Sequence, residues 1–109
     1  MRLAELEPSF FGAGGSGITR DGQPVPERHG VGLMCRCPCG QCDPETGWLA
    51  VDFENPLDGG PRIESAGPHW QRTGDTFDTL TLNPSILRSR EKGGCGWHGW
   101  IRDGEVVSC

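Results

Sequence analysis

Five of the six cysteines fall in two short stretches, and these stretches constrain the fold more than anything else in the chain. Four crowd into Cys35-Arg36-Cys37-Pro38-Cys39-Gly40-Gln41-Cys42, and one opens Cys95-Gly96-Trp97-His98. A Cys-x-x-His turn aims a sulfur and an imidazole nitrogen at one ion, but a structural zinc site takes four donors. The two stretches must therefore meet if they share a metal. Pro38 and Gly40 shape the first turn, while Gly93, Gly94, Gly96 and Gly99 surround the second.

Composition explains why such a staple is needed. The chain has 109 residues, 18 of them Gly and 9 Pro, and only 34% are apolar. That length suits one domain, residues 1–109, with a modest core. Ordering each residue costs roughly 1–2 kcal/mol, so a thin core needs a bound metal or an equivalent cross-link. Three disulfides are the rival staple. Cys-x-Cys spacing fits disulfide geometry poorly, and the acidic start Met1-Arg2-Leu3-Ala4-Glu5-Leu6-Glu7 has no apolar export signal. The expected compartment is reducing and cytoplasmic. A net charge of -5 disfavours nucleic acid and anionic membrane, and no apolar run reaches the length of a membrane span.

Along the chain, residues 1–30 read as an extended, loop-rich N-terminal segment. Leu3 and Leu6 are spaced like one helical turn or a frayed strand, and Phe10-Phe11 is an apolar anchor. Gly12, Gly14 and Gly17 match Gly-x-Gly-x-x-Gly, but no helix can follow through Asp21-Gly22-Gln23-Pro24, so the run reads as a glycine loop. Val31-Gly32-Leu33-Met34 and Trp48-Leu49-Ala50-Val51-Asp52-Phe53 read as strands. Residues 56–68 read as a surface loop, with Trp70 a core or rim aromatic. Thr76-Phe77-Asp78-Thr79-Leu80-Thr81-Leu82 has the composition and alternation of a strand. Asp103-Gly104 between Trp100-Ile101-Arg102 and Glu105-Val106-Val107 signals a two-residue hairpin. No amphipathic helix stands out. The expected class is mainly β: a small antiparallel domain with two metal-ligand loops and long surface loops.

The ligand set expected from spacing is Cys37, Cys39, Cys95 and His98. Three thiolates and an imidazole favour zinc over magnesium or calcium. Cys35 and Cys42 compete in the first loop; Cys42 can replace Cys37 through the spacing Cys39-x-x-Cys42, and Cys35 ends a strand and can simply be buried. His29 reads as a surface imidazole. Ser85 has no base beside it in sequence, so no nucleophilic triad can be assembled from sequence neighbours. Four protein ligands close a zinc site and leave no position for water, which points to a structural metal.

Cys95-Gly96-Trp97-His98-Gly99-Trp100 followed by Asp103-Gly104 resembles the second cluster-binding loop of Rieske domains, although the first loop has Cys39 where those domains have histidine. That resemblance implies a [2Fe–2S] electron carrier as a rival to zinc. Cys37-Pro38-Cys39-Gly40, Leu82-Asn83-Pro84-Ser85-Ile86 and Cys95-x-x-His98 together resemble a family of small phage and bacterial proteins. That family implies a metal-binding β domain with Cys37, Cys39, Cys95 and His98 as the matched positions. The resulting expectation is a non-catalytic, zinc-stabilised protein with a protein partner, encoded by a phage and working in the host cytoplasm. A virion component and an open-site zinc enzyme are the remaining alternatives.

Overall fold

The structure is a computed structural model that describes residues 1–13, 22, 27–43, 45, 47–64 and 67–109. The glycine run at 14–17, the first half of the Asp21-Gly22 turn, Pro24, Pro26 and Thr46 lie outside the described residues.

Among the described residues, eight strands form two sheets. β1 (Ser9–Ala13), β2 (Arg28–Arg36), β3 (Trp48–Phe53), β4 (His69–Thr73) and β5 (Thr81–Asn83) lie in that order in the larger sheet. β6 (Ile86–Leu87), β7 (His98–Arg102) and β8 (Glu105–Ser108) form the smaller one. The mainly β, largely antiparallel reading of the sequence is met. One pair departs from it: β3 and β4 run parallel, with Asp52 opposite His69 and Phe53 opposite Trp70.

Alternation decides which residues turn inward. Leu49, Val51 and Phe53 of β3 are buried, as are Val31, Leu33 and Cys35 of β2, while their neighbours Ala50 and Met34 face outward. β2 and β3 align so that Leu33 meets Val51 and Cys35 meets Leu49. Side chains of both sheets then share one core, in which Leu33, Val51, Phe53, Leu80 and Leu82 meet Ile86, Trp97, Ile101 and Val106. Burial of each such side chain is worth roughly 1.5–3 kcal/mol.

The stretch 76–82 is not one strand. Only Thr81–Asn83 pairs, and residues 76–79 turn. The Thr79 N–H donates to the Thr76 carbonyl (3.2 Å), and the two threonine hydroxyls lie 2.8 Å apart. Hydroxyls that bond locally offer the backbone an alternative to the ladder, which strand propensity does not register. Of the two readings open for Leu3 and Leu6, the helical turn is the one that forms: a 3-10 turn over Leu3–Leu6 with both leucines buried.

The terminal hairpin forms where Asp103-Gly104 placed it. Both turn residues have positive φ (47° and 72°), as a type I′ turn requires. Gly104 cannot carry a side chain: an added Cβ would lie 2.6 Å from the Asp78 carbonyl oxygen. The Gly104 N–H donates to Leu80 O, and Gly104 O accepts from the Leu3 N–H. The turn thereby ties the smaller sheet to the N-terminus and to the segment before β5.

Candidate functional site: a sulfur cluster beside a serine–histidine pair

Cys37, Cys39, Cys42 and Cys95 bring their four sulfurs within 4.8 Å of one another. Two sulfur pairs are closer: Cys37 to Cys95 at 3.5 Å and Cys39 to Cys42 at 3.3 Å. A tetrahedral ion with metal–sulfur bonds of about 2.3 Å needs sulfur–sulfur edges of about 3.8 Å, so the set fits a metal after small adjustments. Four cysteines this close can hold a metal ion.

Local structure produces the cluster. The chain leaves β2 at Arg36, and the Gly40 N–H turns back onto the Cys37 carbonyl with Gly40 in the left-handed region (φ 73°). The Cys37 N–H donates to Gly47 O, closing the base of the loop. The Gln41 N–H donates to the Cys39 sulfur (3.4 Å). Cys95 arrives on the chain just before β7, after a short 3-10 turn at Arg90–Lys92.

Charge is managed by Arg88. Four thiolates around a divalent ion leave a net charge of -2. Arg88 donates from Nη1 to the Cys42 sulfur at 3.1 Å and offsets part of that charge. Without a metal the cluster already polarises. Burial pushes the Cys37 thiol up to about 12. Burial also raises Cys95, but the Trp97 N–H, the Cys37 thiol and Arg88 outweigh it and bring Cys95 down to about 6. Cys35 stands outside the cluster, fully buried, with its thiol raised to about 12 by burial alone. Such a thiol is inert packing.

Beside the cluster runs a groove of about 690 Å³. It is lined by the segment Pro84–Ser89 and by Trp48, Ala50, Asp52 and His69 from β3 and β4. Ser85 is one of the lining residues. Its carbonyl accepts from the buried Trp70 indole N–H (3.2 Å), and its Oγ lies 3.0 Å from His98 Nε2. With its proton on Nδ1, the imidazole accepts from the serine hydroxyl. The Trp100 ring, 5.5 Å from the imidazole centroid, packs on its flank.

Register explains this pair. Leu87 stands opposite His98 across the β6–β7 ladder, so Ser85, two residues before Leu87, shares its face and is the diagonal neighbour of His98. Gly99 is needed alongside. An added Cβ there would lie 2.3 Å from Val107 O and 2.6 Å from the Trp97 ring.

Of the four ligands expected from sequence, Cys37, Cys39 and Cys95 come together, joined by Cys42. His98 stands against Ser85 instead of among the sulfurs. The reason is that the turn carrying Cys95 ends one residue before β7 begins, and strand alternation then sets the direction of His98. The imidazole beside Ser85 is 13 residues away in sequence, so no inspection of sequence neighbours pairs the two. The signal available was register: a serine two residues ahead of a short strand whose partner strand begins with histidine. His29 is exposed, 3.9 Å from Glu27, and His69, which lines the groove, donates from Nε2 to the Ile63 carbonyl (3.0 Å). Among the described residues no helix is long and apolar enough to cross a membrane.

No curated protein and no solved structure matches the chain. A family model does match, over residues 18–109, and its description is a bacterial ubiquitination-like system serine protease, BubE. That description overturns the expectation of a non-catalytic protein, which rested on a closed metal site and took no account of a second site beside it. Because the match spans most of its length and both the sulfur cluster and the serine–histidine pair, the chain belongs to the BubE family.

Proposed function

We propose that this chain is a serine peptidase in which Ser85 is the nucleophile and His98 the general base, and that the four cysteines hold a structural zinc. The observation that carries the reading is the 3.0 Å approach of His98 Nε2 to the Oγ of Ser85, a residue that lines the groove. An adjacent imidazole is what a serine hydroxyl needs to become nucleophilic near neutral pH.

The chemistry then follows from these two side chains. A peptide carbonyl carbon in the groove is attacked by Ser85 Oγ as His98 Nε2 takes the hydroxyl proton. The C–N bond breaks, and His98 returns that proton to the leaving amine. Water, deprotonated by the same nitrogen, cleaves the acyl-serine ester and regenerates the hydroxyl. Trp70 holds the Ser85 backbone and Trp100 packs on the imidazole, so the pair is set before substrate arrives.

The metal has a different task. Held by Cys37, Cys39, Cys42 and Cys95, it would be closed to water, and it would join the loop after β2 to the entry of β7. Cys95 is three residues from His98, and Arg88, bonded to Cys42, is three residues from Ser85. The cluster thus anchors both chain segments that present the dyad. Zinc is the ion that four thiolates in tetrahedral array favour, and free thiolate ligands suit a reducing compartment.

Two measurements test the reading. A fluorophosphonate probe should label Ser85, located by peptide mass spectrometry, and Ser85→Ala should lose labelling and lower peptide hydrolysis on the order of 10⁴–10⁶-fold. Labelling at another serine, or hydrolysis surviving in Ser85→Ala, overturns the dyad. Elemental analysis should give one zinc per chain; iron with labile sulfide overturns the metal assignment.

A further inference from the structure

We infer that the substrate is an extended, locally unfolded polypeptide segment that adds as a strand to the outer edge of β6 and is read there through its main chain. This rests on the dyad proposed above and goes on to name what the groove takes.

The inference starts from hydrogen-bond direction. The Arg88 N–H donates to Trp97 O, and Arg88 O accepts from the Gly96 N–H, so both polar groups of Arg88 point toward the β7 side. Groups two residues apart on a strand point the same way, and the residue between them points oppositely. Leu87 therefore turns its N–H and carbonyl away from β7. Its partner agrees: His98 O accepts from the Cys109 N–H, on the side of β8, as expected when Leu87 and His98 form a pair without mutual hydrogen bonds.

Among the described residues no strand pairs with β6 on that outer side. The edge lines the groove and is open at Leu87, while the outward carbonyl of Ser85 is already taken by the Trp70 indole N–H, so main-chain pairing of an added chain ends at Leu87. Leu87 is 58% exposed and carries no charge. Exposed edges of this kind capture extended chains by main-chain pairing. The β3 residues that line the same groove run from Trp48 to Asp52, about 13 Å at 3.3 Å per residue, which matches an extended segment of about five residues.

Position relative to the chemistry makes the edge a substrate guide. Ser85 precedes Leu87 by two residues, about 6.6 Å along the strand. A chain paired with Leu87 and continued in the extended state brings a carbonyl to Ser85 Oγ about two residues from the paired position. Side chains that alternate into the groove meet Trp48, Ala50, Asp52 and His69. A helical or tightly folded segment cannot offer its main chain to the edge, so cleavage is confined to tails and unfolded stretches.

The experiment uses the full chain with its metal. Ser85 labelling by a fluorophosphonate is measured first. Reduced, alkylated casein is then digested, the strongest cleavage site is mapped, and a peptide spanning it is made unmodified and with a single backbone N-methyl group at each position in turn. N-methylation about two residues from the scissile bond should lower kcat/KM about tenfold, and positions on either side of it much less, because only alternate N–H groups face β6. Leu87→Pro removes the outward donor and no internal bond, which an edge strand tolerates. It should lower kcat/KM for the unmodified peptide about tenfold, with a combined loss for the sensitive N-methyl peptide smaller than the product of the two. An N-methyl scan with no alternation overturns the inference even if Leu87→Pro fails to fold. If Ser85 is labelled and the scan is flat, the dyad stands and the strand-addition reading falls. If Ser85 is not labelled and casein is not cut, both fall.

Discussion

Removing the metal should lower the melting temperature by tens of degrees, and the size of the effect can be worked from the chain. Cys37 and Cys95 are 58 residues apart in sequence and 3.5 Å apart at their sulfurs. Joining two such positions removes loop-closure entropy of about 14 cal/mol/K from the unfolded chain, or about 4 kcal/mol at 25 °C. This is a floor, because the ion also fixes Cys39 and Cys42, and apparent zinc affinities of small folded sites reach about 10–16 kcal/mol. A domain of this size has roughly 5–15 kcal/mol in all. Each kcal/mol moves the midpoint of a chain near 100 residues by about 4–8 °C, so the floor alone corresponds to a fall of about 15–30 °C. The assay is thermal unfolding by circular dichroism under a reductant, before and after treatment with a strong chelator, with metal content verified on the same samples. A shift under about 5 °C with the metal gone would refute the cross-link argument, since even half of the closure entropy exceeds it.

His98→Ala should keep its metal and lose peptide hydrolysis on the order of 10³-fold or more, whereas Cys42→Ser should lose metal; elemental analysis and a peptidase assay on both variants separate the two sites. Metal loss from His98→Ala would return that imidazole to the ligand set. Metal affinity should fall as pH falls, because protons compete for the sulfurs. Cys95 is held at about 6 once the metal is gone, so it needs no deprotonation above that pH and one below it. A plot of log affinity against pH should therefore steepen by about one unit of slope below pH 6, measured by competition with a chromogenic chelator; a constant slope through pH 6 contradicts the low Cys95 value. Gly99→Ala should destabilise the fold by about 1–3 kcal/mol in denaturant unfolding, since the new methyl meets backbone at Val107 O and the Trp97 ring; an unchanged midpoint would mean that the β7–β8 pair shifts freely.

Much of the fold could be read from the sequence because its signals are local. β3 coincides with the run Trp48–Phe53, and the Asp103-Gly104 turn joins β7 to β8, since alternation and a type I′ turn need no distant partner. The miss at 76–79 came from threonine hydroxyls, which bond within four residues and outweigh β-propensity there. The parallel pairing of β3 with β4 could not be read, because it depends on the connection between the two strands and not on either strand alone.

The site divides along the same line. Cys37, Cys39 and Cys95 were found through spacing within each turn, and Cys42 was recognised as a competitor because Cys39-x-x-Cys42 is itself a ligand spacing. Cys-x-x-His is also a ligand spacing, but only while the turn lasts through the histidine. Here Trp97 is the last residue before β7, with its carbonyl bonded to the Arg88 N–H, and His98 is already on the ladder. Once on a strand, a side chain points where the pleat sends it, and the pleat sends His98 toward the face that Ser85 and Leu87 share. The same four-residue stretch therefore supplies a sulfur to one site and an imidazole to the other. On the proposed reading, loosening a metal at the cysteines would release the strand that carries His98, which would link the stability of the cluster to the Ser85–His98 geometry.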